Sequence, residues 1–296
     1  MRPLALVLFA ALAAAGQDLG GVIDIHCHSG PDAVPRSIDA LALARLARDR
    51  GLRGLVLKNH YESTAALAWF ARQQAPGLEV FGAIALNRAV GGVNPAAVEH
   101  MTRMEGGWGR VVWMPTFDAE NQVRASGQSR PFVPISRNGR LLPEVLEVLD
   151  LIARHKLVLA TGHSSAAENL LLIRAARARG IDRIMVTHPM PAPVSMSVEQ
   201  MREAAKLGAF LEFPYNVVIG PKPAFTMEQY AAAIREVGPE HSIVTSDLGQ
   251  AGNPLHPDGL REYFRALRAQ GFTAAEIDRM AKTNPARLLG LKGETK

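Results

Sequence analysis

The sequence predicts an α/β protein built as a single (β/α)8 TIM barrel, with a C-terminal helix and an insertion after the fourth strand. Three observations predict it. Apolar, β-rich runs alternate with segments of helical periodicity along nearly the whole chain. Eight strand–helix units can be read in this way, and such alternation implies parallel pairing through right-handed crossovers. Polar side chains recur at the carboxyl ends of the strands, where barrels of this kind build their active sites. A length of 296 residues with 48% hydrophobic composition is ample for one large core.

The first seventeen residues, MRPLALVLFAALAAAGQ, carry one positive charge, a short apolar stretch and the small-residue pattern Ala13-Ala14-Ala15. They read as a signal peptide over residues 1–15, because the apolar stretch is shorter than the roughly 20 residues that span a bilayer. The expectation is an exported protein, periplasmic or extracellular, with no stable membrane anchor after cleavage. An uncleaved leader would leave it cytoplasmic. Cys27 is the sole cysteine, so no intrachain disulfide can form.

The barrel is expected over residues 22–291. Its strands are read at 22–28, 54–60, 79–87, 109–116, 157–163, 183–189, 209–216 and 241–248. Between them lie helical segments such as SIDALALARLARDRG and LPEVLEVLDLIARHK, and Gly51, Gly180, Gly208 and Gly238 mark helix ends just before the next strand. An open doubly wound sheet is the rival, but DIHCHSG stands where a glycine-rich nucleotide fingerprint would follow the first strand. Residues 117–140 interrupt the rhythm after the fourth strand. Their ISRNGRLL stretch suits a hairpin with a type I′ turn at Asn138-Gly139, and so long a loop reads as a lid or binding loop.

The net charge of +5 comes from arginines and lysines scattered over helical segments, and aromatics make up only 6%. Scattered charge and few stacking platforms exclude a nucleic-acid partner from the expectation. The expected partner is a small-molecule substrate, and a homo-oligomer is compatible with the sequence.

Side chains two apart on a strand share a face. His26 and His28 therefore point the same way, and strict alternation sends Asp24 with them and Cys27 to the helices. Lys58 and His60 share a face with Val56 in the second strand. The fifth strand ends in His163, the sixth in His188 and the eighth in Asp247. One strand-end histidine is more often a hydrogen-bonded core residue than a ligand. Four of them converging with a carboxylate point to a divalent metal, most simply zinc, with manganese, iron or cobalt as alternatives and one or two ions bound. His100, His155 and His241 read as surface residues, and His256 as a loop residue near the site.

DIHCH, TGH with His163, THP with His188, TSD with Asp247 and the terminal KTNPARLLGL together resemble the amidohydrolase superfamily, in order and strand position, from about Val22 to Leu291. The resemblance implies that His26 and His28 hold the more buried ion, that His163 and His188 complete or extend the site, and that Asp247 binds metal and handles the proton. Many members bridge two ions with a carboxylated lysine from the fourth strand. Here that strand, RVVWMPT, has no lysine or glutamate. Lys58 could substitute as a carbamate, bind an anionic substrate as ammonium, or pair structurally with Asp24 or Glu212.

The resulting expectation is a metal-dependent hydrolase acting on a small-molecule amide, lactone or ester, with Asp247, Lys58 and His60 as catalytic candidates. Asn87, Arg88, Trp113, Tyr215 and Asn216 are candidate substrate contacts, and Arg36 and Lys222 candidates for a substrate carboxylate. The alternative is a decarboxylase of the same superfamily. A phosphoesterase of the polymerase-and-histidinol-phosphatase type, in which His60 binds metal, and a non-catalytic exported binding protein rank lower.

Overall fold

The computed structural model describes residues 19–292; the leader expected over residues 1–15 lies outside them. Eight strands form one parallel sheet in sequence order. They are β1 (Ile23–His28), β2 (Gly54–Lys58), β3 (Glu79–Ala85), β4 (Gly109–Trp113), β5 (Val158–Ala160), β6 (Ile184–Val186), β7 (Phe210–Pro214) and β8 (Ser242–Thr245). The sheet closes where the segment after β8 runs beside β1, with Asp247 N–H donating to His26 O at 3.0 Å and His28 N–H to Leu248 O at 2.9 Å. Closure removes the sheet edges and fixes Asp247 beside the first strand.

Two apolar layers follow from the strand period. Ile23, Val56, Phe81, Val111, Val158 and Ile243 fill the barrel interior, while Leu55, Leu57, Val112 and Leu159 meet the surrounding helices. The glycines read as helix ends do end them: Gly51, Gly180, Gly208 and Gly238 all have positive φ. Ser165, Ser197, Thr226 and Thr273 each close a reciprocal capping box at a helix start. The terminal helix Asn284–Leu289 plugs the bottom of the barrel with Ala286, Leu288 and Leu289. Asn284 pins it by donating to Pro239 O and Ser242 O at 2.8 and 2.7 Å.

The insertion carries a short helix, Glu120–Ala125, and the expected hairpin (Ser136–Arg137 with Arg140–Leu141). Asn138 and Gly139 both have positive φ, as a type I′ turn requires. Among the described residues, no helix is long and apolar enough to cross a membrane.

Strict alternation fails in β1. Ile23 and Asp24 pair with Gly54 and Leu55, but Cys27 and His28 pair with Leu57 and Lys58, so β1 carries one extra residue between Asp24 and Cys27. Ile23 and Ile25 both pack inside the barrel, and the bulge lets His26 and His28 face inward as well. Asp24 therefore does not share their face, a correction to the alternation reading. It points outward, where Oδ1 accepts the N–H of Ser246 at 3.0 Å and of His26 at 3.3 Å.

Candidate metal centre

The carboxyl ends of β1, β2, β5, β6 and β8 open into one cavity of about 480 Å3, lined by His28, Lys58, His60, His163, His188 and Asp247 among others. His26 lies beneath it, fully buried. Ligand atoms of His26, His28 and Asp247 all lie within 4.8 Å of one another. Asp247 Oδ1 stands 3.1 Å from Nε2 of both imidazoles.

The hydrogen bonds fix which ring nitrogens are free. Glu212 Oε1 is 2.6 Å from His26 Nδ1 and accepts its proton, which leaves the Nε2 lone pair facing Asp247. Glu212 also takes Thr245 Oγ1–H at 3.0 Å and the N–H of His188 at 3.1 Å. His163 Nδ1 donates to Gln122 Oε1 at 2.8 Å, leaving Nε2 free as well. His163 and His188 face each other with ring centres 4.9 Å apart, and His188 lies 6.3 Å from His26. Among the described residues, Nδ1 of His28 and of His188 are buried without a hydrogen-bond partner. Lone pairs turned on a carboxylate and orphaned imidazole nitrogens are an arrangement that a cation relieves, so these residues fit a divalent ion.

Burial lowers the pKa of all of these histidines, His26 to about 3, so each is a neutral imidazole fit for ligation. Burial also raises Glu212 to about 7. The histidines are depressed below their unfolded value near 6.5, so the stability that they contribute is present above pH 6.5 and lost as pH falls. Glu212 acts oppositely, its contribution fading as pH rises through about 7, but it is one group against several. The metal-free protein is expected to lose thermal stability already between pH 6.5 and 5, above the ordinary carboxylate range. Melting temperatures across that interval check this.

Backbone strain marks the same residues. His188 and Asp247 have φ of 24° and 48°, in the left-handed region that non-glycine residues rarely adopt. Gly162, just before His163, has φ of 63°, and a Cβ there would stand 2.3 Å from Met114 O.

Lys58 reaches His26 Nε2 at 2.7 Å and lies 5.0 Å above the Trp113 ring. Burial brings its pKa down to about 8. With Asp24 turned outward, the expected pairing of Lys58 with Asp24 does not form. His60 stacks between His28 and Phe117, and its Nδ1 is 2.8 Å from Thr116 Oγ1. That hydroxyl already accepts from Asn87 Nδ2 at 2.7 Å, and its own buried proton needs an acceptor, which His60 Nδ1 supplies. His60 therefore carries its proton on Nε2 and meets the cavity as a donor rather than as a ligand.

Of the candidate substrate contacts, Asn216 lines the cavity. The others do not. Asn87 is buried and braces the loop after β4, accepting the N–H groups of Thr116 and Asp118. Trp113 is the fully buried floor under His26 and Lys58. Tyr215 turns outward and donates to Glu262 at 3.1 Å, and Arg88 is exposed beside a separate surface depression. His256 is fully buried near Asp24, outside the cavity lining. Arg36 does reach the cavity, whereas Lys222 is an exposed loop residue that does not line it. Glu212 is the functional residue that sequence reasoning missed as a histidine partner. Its signal was a lone acid in the apolar strand FLEFP, in phase with the inward-facing Phe210.

No curated protein matches the chain. Solved structures do share its fold. A lactonase template engineered for organophosphate hydrolysis has a TM-score of 0.62 at 17% identity, covering 94% of this chain and 98% of that one. An organophosphorus hydrolase from Deinococcus radiodurans gives 0.61 at 17% identity, over 93% of each chain. A phosphotriesterase homology protein from Escherichia coli gives 0.60 at 17% identity, covering 92% and 99%. At these identities the likeness shows the shared barrel fold. Residues 21–212 match the model of a family of unknown function, DUF6282, and with most of its length matched the chain belongs to that family.

Proposed function

We propose that the protein is a metal-dependent hydrolase of a small carbonyl substrate, an amide, lactone or ester. The observation that carries this reading is the convergence of His26, His28 and Asp247 within 4.8 Å at the floor of an open cavity. A divalent ion, most simply zinc, would be held by these three residues, with His163 and His188 placed for a second. When bound, it acidifies water towards pKa ~7 and polarises a carbonyl.

The chain's own residues supply the rest. Asp247 accepts the proton of the attacking water and returns it to the leaving atom. His60 donates from Nε2 to a substrate oxygen. Glu212 keeps the His26 ring in the tautomer that ligates, and Phe117 and Pro191 give the cavity apolar wall. Lys58 is the proposed bridge. As a partly neutral amine it adds carbon dioxide, forming an N–C bond and releasing one proton to give an anionic carbamate. Zinc-replete wild-type protein is then expected to hold two equivalents and Lys58→Ala one. Unchanged stoichiometry by elemental analysis would remove the bridge.

Release of carboxylic acid from a panel of lactones, esters and amides tests the main reading. Carbon dioxide release without consumption of water would assign a decarboxylase instead. A second reading, hydrolysis of organophosphate esters, is favoured by that activity in the structural relatives. The same panel includes a phosphotriester to judge it. Metal ligation by His60, which the phosphatase-type alternative needs, runs against the Thr116 hydrogen bond.

We further propose export. Protein recovered from the native compartment is expected to begin at Gly16, as N-terminal sequencing would show; an intact Met1 would place it in the cytoplasm.

A further inference from the structure

The loop after β1 carries a buried cation that the proposed chemistry does not use. Arg36 lines the metal cavity, and its side chain is only 6% exposed. Its backbone pairs with Gln250, and the next residue, Ser37, donates its N–H to Gly249 O at 2.9 Å. The loop that carries the guanidinium is therefore held against the segment that follows Asp247. Two of its nitrogens, Nε and Nη2, share one oxygen of Asp32 at 2.7 and 2.6 Å. Among the described residues, Nη1 has no hydrogen-bond partner. Away from the metal ligands the cavity walls offer apolar side chains, Val34, Pro35, Phe117, Pro193 and Val217, beside the amides of Gln122, Asn216 and Gln250.

A planar guanidinium with one nitrogen unclaimed is a carboxylate receptor. Asp32 already offsets part of its charge, and a single free nitrogen suits a monoanion better than a phosphate dianion. The geometry points to a substrate that is a compact monocarboxylate with an apolar body, its carboxylate on Arg36 Nη1 and its scissile acyl bond over His26, His28 and Asp247. This rests on the hydrolase reading and narrows its substrate class.

The test uses zinc-replete protein and two esters of equal chain length, mono-4-nitrophenyl glutarate and 4-nitrophenyl pentanoate. The glutarate is expected to have at least tenfold higher kcat/KM, expressed mainly in KM. In Arg36→Met that ratio should fall to about one, and Arg36→Lys should keep part of it. Asp32→Asn, which frees the guanidinium, should keep or raise it. A wild-type ratio near one overturns the proposal, as does a ratio that survives in Arg36→Met, because the metal would then be selecting the anion. Equal loss in Asp32→Asn also overturns it, since the pair would then be a structural clasp. If neither ester is cleaved, the hydrolase reading is what fails. Calorimetric titration with 4-phenylbutyrate against 4-phenylbutyramide and phenyl phosphate then decides Arg36 independently. Preference for the carboxylate by tenfold, lost in Arg36→Met, supports it; equal affinities, no binding, or tighter phenyl phosphate overturns it.

Discussion

Replacing Asp247 by asparagine is expected to lower kcat by roughly 10²–10⁴-fold, the range that a positioned proton carrier contributes. That corresponds to about 3–5 kcal/mol of barrier. The substitution is chosen because asparagine keeps an Oδ1 that can still face His26 and His28, at the 3.1 Å now spanned by the carboxylate. It cannot accept and return a proton. Metal content and turnover should therefore separate. Elemental analysis of Asp247→Asn should still find zinc, while hydrolysis of the best ester nearly stops. A variant that holds zinc and keeps kcat within tenfold of wild type would show that another group carries the proton. Loss of both together would mean that Asp247 matters chiefly as a ligand, and the activity of the small zinc-bound fraction would then have to be measured directly.

The second large effect is expected at a glycine that touches no substrate but packs against the metal ligands. Gly249 has φ of 122°, and a Cβ built on it would stand 2.0 Å from His28 O. That carbonyl is backbone and belongs to β1, so it cannot swing aside as a flexible side chain could. Gly249→Ala must either strain its own φ or push the end of β1 away from the segment after β8. The strain and overpacking together should cost about 3 kcal/mol. For a domain of this size the melting temperature should fall by roughly 6–12 °C. Because His28 and Asp247 approach across this same seam, zinc affinity should fall in parallel. Thermal unfolding and metal titration of one preparation check both. A variant as stable as wild type, with zinc bound equally tightly, would mean that the closure between β1 and β8 is softer than described.

Much of this architecture is legible in the residues themselves. The eight strands follow from apolar runs broken by glycine-terminated helices, and the Asn138-Gly139 turn follows from the φ that only such residues adopt readily. The histidines and Asp247 could be placed because strand ends converge in any closed parallel barrel. What escaped has a common cause. Asp24 was misdirected because alternation assumes an unbroken ladder, and nothing in IDIHCH announces an extra residue. Glu212 was visible as a buried acid, but its partner, 186 positions earlier, is chosen by barrel geometry and not by any local pattern. Asn87, Trp113 and Tyr215 lie where substrate contacts are expected, yet their directions depend on how loops turn after the strands end. Sequence position there gives an address without an orientation.

The extra residue in β1 has a consequence for how such a barrel can change. Below it, the strand's inward positions belong to the hydrocarbon filling; above it, they belong to chemistry. A half-period slip between the two means that neither pattern dictates the other. The lower part can be repacked without re-aiming the imidazoles, and the imidazoles can be exchanged without disturbing the filling. Removing Ile25 at the slip, by contrast, would restore plain alternation, with Ile23, His26 and His28 still inward and Asp24 and Cys27 outward, at the cost of one apolar side chain from the interior.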